Sequence, residues 1–317
     1  MNTLALVVPC YNEQDVLPIF YDETAKVIAS LSEICLTEIV FVDDGSTDQT
    51  LHIIKDFAAH DPAVKYISFS RNFGKEAAML AGMQYAVKSD YIAILDADLQ
   101  HSPDLIPEML RYLTDEDYDV AAARRSDREG EAGFTSFLSG RFYKFANKLC
   151  EIELNDSAQD FRVMKQSVVK AVLSMPESIR FSKGIFTWVG FKVKWIEHKN
   201  RARAAGQTKW SVIKLARYAM DGILGYTGAP LRFSFLCSGF FGLFSLIALI
   251  WGIVKHFTID LYVCTVPLIL AAVFFAAAVI LFCLGILGEY LARTYTEVKG
   301  RPKYIIAQTN TRSNFEI

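Results

Sequence analysis

Short apolar runs recur along the first hundred residues, and each closes on a polar cluster. Leu4 to Val8 is followed by Pro9-Cys10-Tyr11-Asn12-Glu13, and Glu38 to Val42 by Asp43-Asp44-Gly45-Ser46-Thr47-Asp48. Lys65 to Ser70 leads into Arg71-Asn72-Phe73-Gly74-Lys75, and Tyr91 to Leu95 into Asp96-Ala97-Asp98-Leu99-Gln100. Runs of this length read as buried strands and are too short for helices. Helical patterns separate them, at about Asp15–Leu31, Gln49–Ala59 and Glu76–Val87, and a fifth strand is expected over Asp119–Ala123. Strand–helix alternation predicts a mostly parallel α/β sheet with helices on both faces. Open sheets of this kind bind ligands beyond the carboxyl ends of their strands. Each cluster alone is also ordinary turn or helix-cap chemistry; four at one edge predict a shared site.

The pattern changes in the last third. Phe233 to Val254 is 22 residues without Asp, Glu, Lys or Arg, and Leu261 to Gly288 is 28 more. Either is long enough to cross a hydrocarbon core of about 30 Å. Lys214, Arg217 and Arg232 precede the first stretch, and Arg293, Lys299, Arg301 and Lys303 follow the second. The link Lys255–Asp260 holds one lysine. Positive-inside bias therefore predicts both ends in the cytoplasm and a tight outer hairpin. Ahead of the spans, Trp210–Leu224 sets Ile213, Met220, Ile223 and Leu224 on one helical side with Lys214, Arg217 and Asp221 interspersed, as an interfacial helix would, or an amphipathic helix packed on the soluble domain. The expected organisation is a cytoplasmic catalytic domain over 1–208, an interfacial region over 209–231, the two spans within 232–290 (about 233–254 and 261–288), and a cytoplasmic tail over 291–317. Residues 308–317 are expected to be poorly ordered.

Composition narrows the function classes. The chain has 317 residues, 52% of them hydrophobic, and a net charge of −2, which gives no reason to expect nucleic acid. No secretory leader is legible: the opening apolar run has five residues and meets Pro9. The six cysteines lack pairing or metal-ligand spacing and fit a reducing compartment.

The sharpest chemistry lies at Asp96-Ala97-Asp98-Leu99-Gln100. At strand spacing residues i and i+2 point the same way, so Asp96, Asp98 and Gln100 can face one ion if the extended chain continues that far. All three are hard oxygen donors, which suits Mg²⁺ or Mn²⁺ carrying a diphosphate better than zinc. The same carboxylates could instead cap a helix that Ser102-Pro103 begins.

These four clusters resemble the successive motifs of the family-2 inverting glycosyltransferases, which have the GT-A (Rossmann-like) fold and use nucleotide-sugar donors. The likeness continues through Gln159-Asp160-Phe161-Arg162, Gly206-Gln207-Thr208-Lys209-Trp210-Ser211, Leu287-Gly288-Glu289-Tyr290-Leu291 and Arg301-Pro302-Lys303-Tyr304. That whole-chain pattern is similar to the polyprenyl-phosphate glycosyltransferases, of the bactoprenol glucosyltransferase type. The resemblance implies that Pro9, Tyr11, Glu13 and Asp43 or Asp44 hold the nucleoside, with Asp96 near the ribose or metal and Lys75 near the nucleotide. It implies contacts from Arg125, Arg141, Arg203 and Lys209 to the acceptor phosphate. Asp160 matches the position assigned as catalytic base in the bactoprenol branch. A phosphomonoester acceptor, with a second pKa of about 6, is already largely ionised at pH 7, so Asp160 has a second possible role, orienting the acceptor or stabilising charge at the anomeric carbon.

The resulting expectation is a multi-pass enzyme of the bacterial inner membrane. It transfers one hexose, glucose from UDP-glucose, to undecaprenyl phosphate at the cytoplasmic face. Other sugar donors (UDP-galactose, UDP-N-acetylglucosamine, UDP-formyl-aminoarabinose, GDP-mannose) and a non-catalytic nucleotide- or lipid-binding protein remain alternatives. The resemblance also implies a homo-oligomer, with a tetramer as one form.

Overall fold

The computed structural model of the protein describes residues 2–31, 35–125, 158–198, 225–258 and 265–311. The chain divides into two compact units, Met1–Gly222 together with Pro302–Ile317, and Ile223–Arg301.

The first unit is a layered α/β structure around one eight-stranded sheet. Its strands are β1 (Asn2–Cys10), β2 (Cys35–Asp43), β3 (Val64–Phe69), β4 (Tyr91–Ile94), β5 (Val120–Arg125), β6 (Ala158–Lys165), β7 (Val193–His198) and β8 (Ile306–Thr309). Their spatial order is β7-β5-β6-β4-β1-β2-β3-β8. The four strands expected from the apolar runs pair in parallel, β4 with β1, β1 with β2 and β2 with β3. The expected mostly parallel α/β sheet is therefore present, with strand limits shifted by a few residues.

Strict alternation along the strands separates two cores. Leu4, Leu6, Val8, Ile39, Phe41, Ala93, Leu95 and Phe161 face helices α1 (Leu17–Leu31), α2 (Thr50–His60) and α4 (Ile106–Thr114). Ala5, Val7, Val40, Val42, Ile92 and Ile94 face α3 (Lys75–Ala86), α5 (Gln166–Leu173) and α6 (Ser182–Trp188). Phe20, Phe41 and Phe161 are fully buried, each contributing about 1.5–3 kcal/mol of transfer free energy. Helix α3 comes unusually near β1: a Cβ on Gly82 would stand 2.2 Å from Val7 Cγ1.

Two strands depart from simple alternation. β6 lies between β4 and β5 and is antiparallel to both, while β7 is parallel to β5. The amino end of β6 and the carboxyl ends of β5 and β7 therefore share the edge at which β1 to β4 end. β8 closes the far side, antiparallel to β3. Gln308 and Thr309, expected to be poorly ordered, thus belong to the sheet. The ladder is reinforced by Tyr304, stacked on Phe69 at 4.9 Å, and by Asn310, which bonds both the Tyr66 N–H and the Val64 carbonyl.

In the second unit, α7 (Ala229–Thr258) and α8 (Thr265–Val298) pack as a hairpin, with Phe241 edge-on to Phe275 at 5.0 Å. Both helices are long and apolar enough to cross a membrane, over Ala229–Ile247 and Ala272–Val298, and neither window is buried. Helices that are apolar on every side and exposed are consistent with membrane association. α7 extends through Thr258, so Lys255 to Thr258, assigned to the link from sequence, are helical. The interfacial helix expected over 210–224 lies outside the described residues.

Candidate active site

The loops after β1 and β2 are laced together. Asn12, held at φ 52°, accepts the Thr47 N–H at 2.8 Å and donates its own N–H to Ser46 Oγ at 2.9 Å. The Asp44 N–H reaches the Cys10 carbonyl at 2.8 Å. Gly45 allows the next loop to close on this pair: it has φ +66°, and a Cβ there would stand 2.4 Å from the Arg71 backbone. Pro9, at the end of β1, and Tyr11 and Glu13, in the loop after it, are half-buried.

Asp43 and Asp44 are buried and engaged within these loops. Asp43 accepts from Ser46 N–H at 3.1 Å and Ser68 Oγ at 2.7 Å. Asp44 accepts from the Phe73 and Gly74 amides at 2.6 and 2.9 Å. Burial raises the Asp44 carboxyl to about 6; the two amide bonds oppose this, and neighbouring Asp43 adds to it. The pair therefore ties the loop after β2 to β3 and to the loop that follows it.

Beyond Ile94 the alternation continues: Leu95, Ala97 and Leu99 are buried, and Asp96, Asp98 and Gln100 are half-buried. The strand itself ends at Ile94, and the chain turns at Asp98–Gln100 with Leu99 at φ 56°, so the strand spacing expected to align Asp96, Asp98 and Gln100 does not continue through them. β6 faces them. Its register pairs Ile94 with Arg162, and Asp160 lies two residues nearer the amino end of β6. Lys75, the first residue of α3, reaches between them. Its Nζ lies 2.7 and 2.8 Å from the Asp96 carboxylate oxygens and 2.6 Å from Asp160 Oδ2. Burial alone would raise the Asp160 carboxyl, but the Lys75 ammonium, with Lys183 and Arg162, outweighs it and holds the group well below the usual carboxylate range. Burial would likewise lower Lys75, yet Asp160 and Asp96 hold its ammonium well above its ordinary value.

Several residues that no spacing signal marked support this centre. Arg162 is buried under the Phe186 ring at 3.8 Å and donates to the Asp160 and Gln159 carbonyls at 3.2 and 2.7 Å. It thus grips the backbone that carries Asp160. Glu76, next to Lys75, accepts from the N–H and Oγ of Ser182 and joins the starts of α3 and α6. His101 is buried; its Nδ1 lies 2.8 Å from Nε2 of His198, and its ring stacks on Phe161 at 5.8 Å. Burial pushes the His101 imidazole down to about 4.

Asp98 accepts the Gln100 N–H at 3.1 Å, closing a turn over Leu99 at φ 56°. Among the described residues no three His, Cys, Asp or Glu side chains form a cage for a metal. Two carboxylates and an amide oxygen still fit a divalent cation of the Mg²⁺ type, which takes one or two carboxylates and fills its remaining positions with water and substrate phosphates. Of the expected acceptor-side residues, Arg125 ends β5 at this edge, in register with His198. Its side chain, and Arg141, Arg203 and Lys209 entirely, lie outside the described residues.

Residues 5–173 match the family model described as glycosyl transferase family 2. A Bacillus subtilis (strain 168) protein, CsbB, whose name assigns it to the glycosyltransferases, is 41% identical over 307 residues, 97% of this chain and 92% of that protein. The prophage bactoprenol glucosyl transferase homolog of Escherichia coli K12 is 37% identical over 303 residues, 96% of this chain and 98% of that protein. Among solved structures, glucosyl-3-phosphoglycerate synthase of Mycobacterium tuberculosis, in complex with Mn²⁺, UDP-glucose and phosphoglyceric acid, aligns with a TM-score of 0.48 at 18% identity, covering 69% of this chain and 76% of that one. On the family model and the near-full-length relatives, the chain belongs to glycosyltransferase family 2 and, within it, to the bactoprenol glucosyltransferase type.

Proposed function

We propose that the protein transfers a single glucose from UDP-glucose to undecaprenyl phosphate at the cytoplasmic face of the bacterial inner membrane, with inversion to a β-linked lipid-phosphate sugar. The observation that carries the chemistry is the Asp96–Lys75–Asp160 constellation, with Asp98 and Gln100 beside it, at the carboxyl edge of four parallel strands. The choice of glucose and of the lipid acceptor follows the relatives named bactoprenol glucosyl transferase. The paired apolar helices would keep the enzyme where such an acceptor resides.

Asp96, Asp98 and Gln100 would hold Mg²⁺ or Mn²⁺ with the donor. When bound, that cation supplies positive charge to the departing diphosphate. Pro9, Tyr11, Glu13 and the Asp43–Asp44 pair would shape the nucleoside end of the site. Lys75 would contribute the fixed cation between the two carboxylates, and Arg125, Arg141, Arg203 and Lys209 would orient the acceptor phosphate bidentately or as point charges. Of the two roles open to Asp160, its ion pair with Lys75 favours the electrostatic one: a carboxylate so held is a weak proton acceptor, and a phosphate dianion needs no base.

The test is turnover by purified protein in detergent with undecaprenyl phosphate and Mn²⁺ or Mg²⁺. UDP-glucose, UDP-galactose, UDP-N-acetylglucosamine, UDP-formyl-aminoarabinose and GDP-mannose would be offered separately, with mass detection of the lipid. A glucosyl-phosphate lipid formed from UDP-glucose alone and abolished by EDTA is the expected result. Product from a different donor would replace the sugar assignment; donor binding without product would leave a nucleotide-binding protein.

A further inference from the structure

The loop that follows β4 is held from beneath by two histidines 97 residues apart in sequence. β4 and β7 are separated by β6 and β5, a gap of about 14 Å at the usual strand spacing. The chain after Asp96 crosses that gap: His101, one residue past Gln100, reaches the end of β7 and meets His198 there at 2.8 Å. Two imidazole nitrogens at this distance form a bond in which one ring donates and the other accepts. On the way, the His101 ring lies nearly parallel to Phe161, at an interplanar angle of 20°. Phe161 is the neighbour of Asp160 and points to the opposite face of the sheet, so the stack sits under the strand that carries the candidate catalytic aspartate. At 5% exposure His101 has little freedom to move. The Asp98 turn carries a local bond to Gln100 and Leu99 in a left-handed conformation, with Ala97 and Leu99 packed in the same core as Phe161; the histidine pair ties the chain just after it to β7.

We infer that the His101–His198 bond is a positioning device for this reaction. It sets Asp98 and Gln100 opposite Asp160 and thereby fixes how strongly the protein holds a divalent cation with a nucleoside diphosphate. The inference rests on the donor–metal reading above and extends it to a residue, His198, on a strand remote in sequence from every donor motif. Partners of this kind, which orient metal ligands without touching the metal, commonly change metal affinity by about 10- to 100-fold when removed.

Calorimetric titration of UDP into the full-length protein in detergent, with and without Mn²⁺, tests this apart from turnover. His198→Leu removes the polar atom, whereas His198→Gln returns one near the position of Nε2. The expected result is Mn²⁺-dependent UDP binding weakened by about tenfold or more in His198→Leu and largely restored in His198→Gln, with the unliganded melting temperature of His198→Gln close to wild type. In turnover, the donor KM rises in His198→Leu more than the acceptor KM. His101→Leu combined with His198→Leu should be no worse than the poorer single variant, because both remove one bond. Wild-type affinity in His198→Leu, equal impairment in the Leu and Gln variants, or additive losses would each overturn the positioning role. Wild-type protein that binds UDP equally with and without Mn²⁺ would overturn the metal reading itself, and the role of the bond with it.

Discussion

At the scale of single residues, Asp96, Asp98 and Gln100 were legible as candidate donors because their residue types and spacing are local, and all three are half-buried; the turn with Leu99 at φ 56° that replaces a continuing strand was not legible. Lys75 and Asp160 were named only through the family resemblance, and their contact with Asp96 was not legible. Lys75 meets Asp96 across 21 residues and Asp160 across 85, and no local period encodes such contacts. Lys75→Met would leave two facing carboxylates with their shared cation gone. The expected outcome is a fall in kcat of about 10²-fold, the scale of losing one preorganised electrostatic group, with Lys75→Arg losing less; steady-state kinetics alongside melting curves would separate this from unfolding. Asp44 makes a prediction in pH. Its folded pKa of about 6 lies above the ordinary carboxylate value, so the folded state binds this proton more tightly, and its contribution to stability declines as pH rises from about 4 to about 6. His101, held down to about 4, acts oppositely: the unfolded state takes up its proton first, and stability declines as pH falls from about 6.5 towards 4. The two slopes offset each other in the wild type. Asp44→Asn removes one, so melting temperature should fall more steeply on acidification from pH 6.5 to 4 than in the parent, a difference a pH series of thermal melts would read.

At the scale of elements, the parallel strands and their helices were legible from runs and alternation, and β6 was not recognised as a strand. Its Gln159–Arg162 segment attracted notice as a motif, yet its antiparallel insertion between β4 and β5 is a tertiary choice. That choice turns the amino end of β6, where Asp160 sits, toward the carboxyl ends of its neighbours. The close seating of α3 on β1 belongs to the same scale, because it sets the depth at which Lys75 enters. Gly82→Ala would press a methyl group against Val7 Cγ1, and a β-branched neighbour in a packed core has little room to yield. A loss of about 1–3 kcal/mol is expected from overpacking, together with reduced turnover as α3 lifts. Val7→Ala in the same chain should recover part of both, and calorimetry of the single and double variants checks it.

At the scale of the whole molecule, the apolar spans were legible from composition, whereas the return of the chain to the catalytic sheet was not. The segment after Val298 is polar and short; the sequence reads it as a cytoplasmic tail whose last residues, 308–317, are poorly ordered. Its order comes from an open edge: β3 would otherwise present unpaired backbone groups, a template for association. β8 covers that edge through its ladder with Ile67 to Phe69. Tyr304 stacks on Phe69 and bonds Gln84, and the Asn310 amide imitates a further rung by bonding Val64 and Tyr66. A stop after Arg301 removes all of these at once. With net hydrogen bonds worth about 1 kcal/mol each and an aromatic pair about 0.5–1.5 kcal/mol, the catalytic unit should lose several kcal/mol. For a domain of this size that corresponds to a melting temperature lower by roughly 5–10 °C, with more aggregated material on size exclusion as the β3 edge opens. Asn310→Ala should give a smaller drop of the same kind without aggregation. A truncated protein that melts with the parent would show that the sheet is complete without β8 and that the returning segment only lies against it.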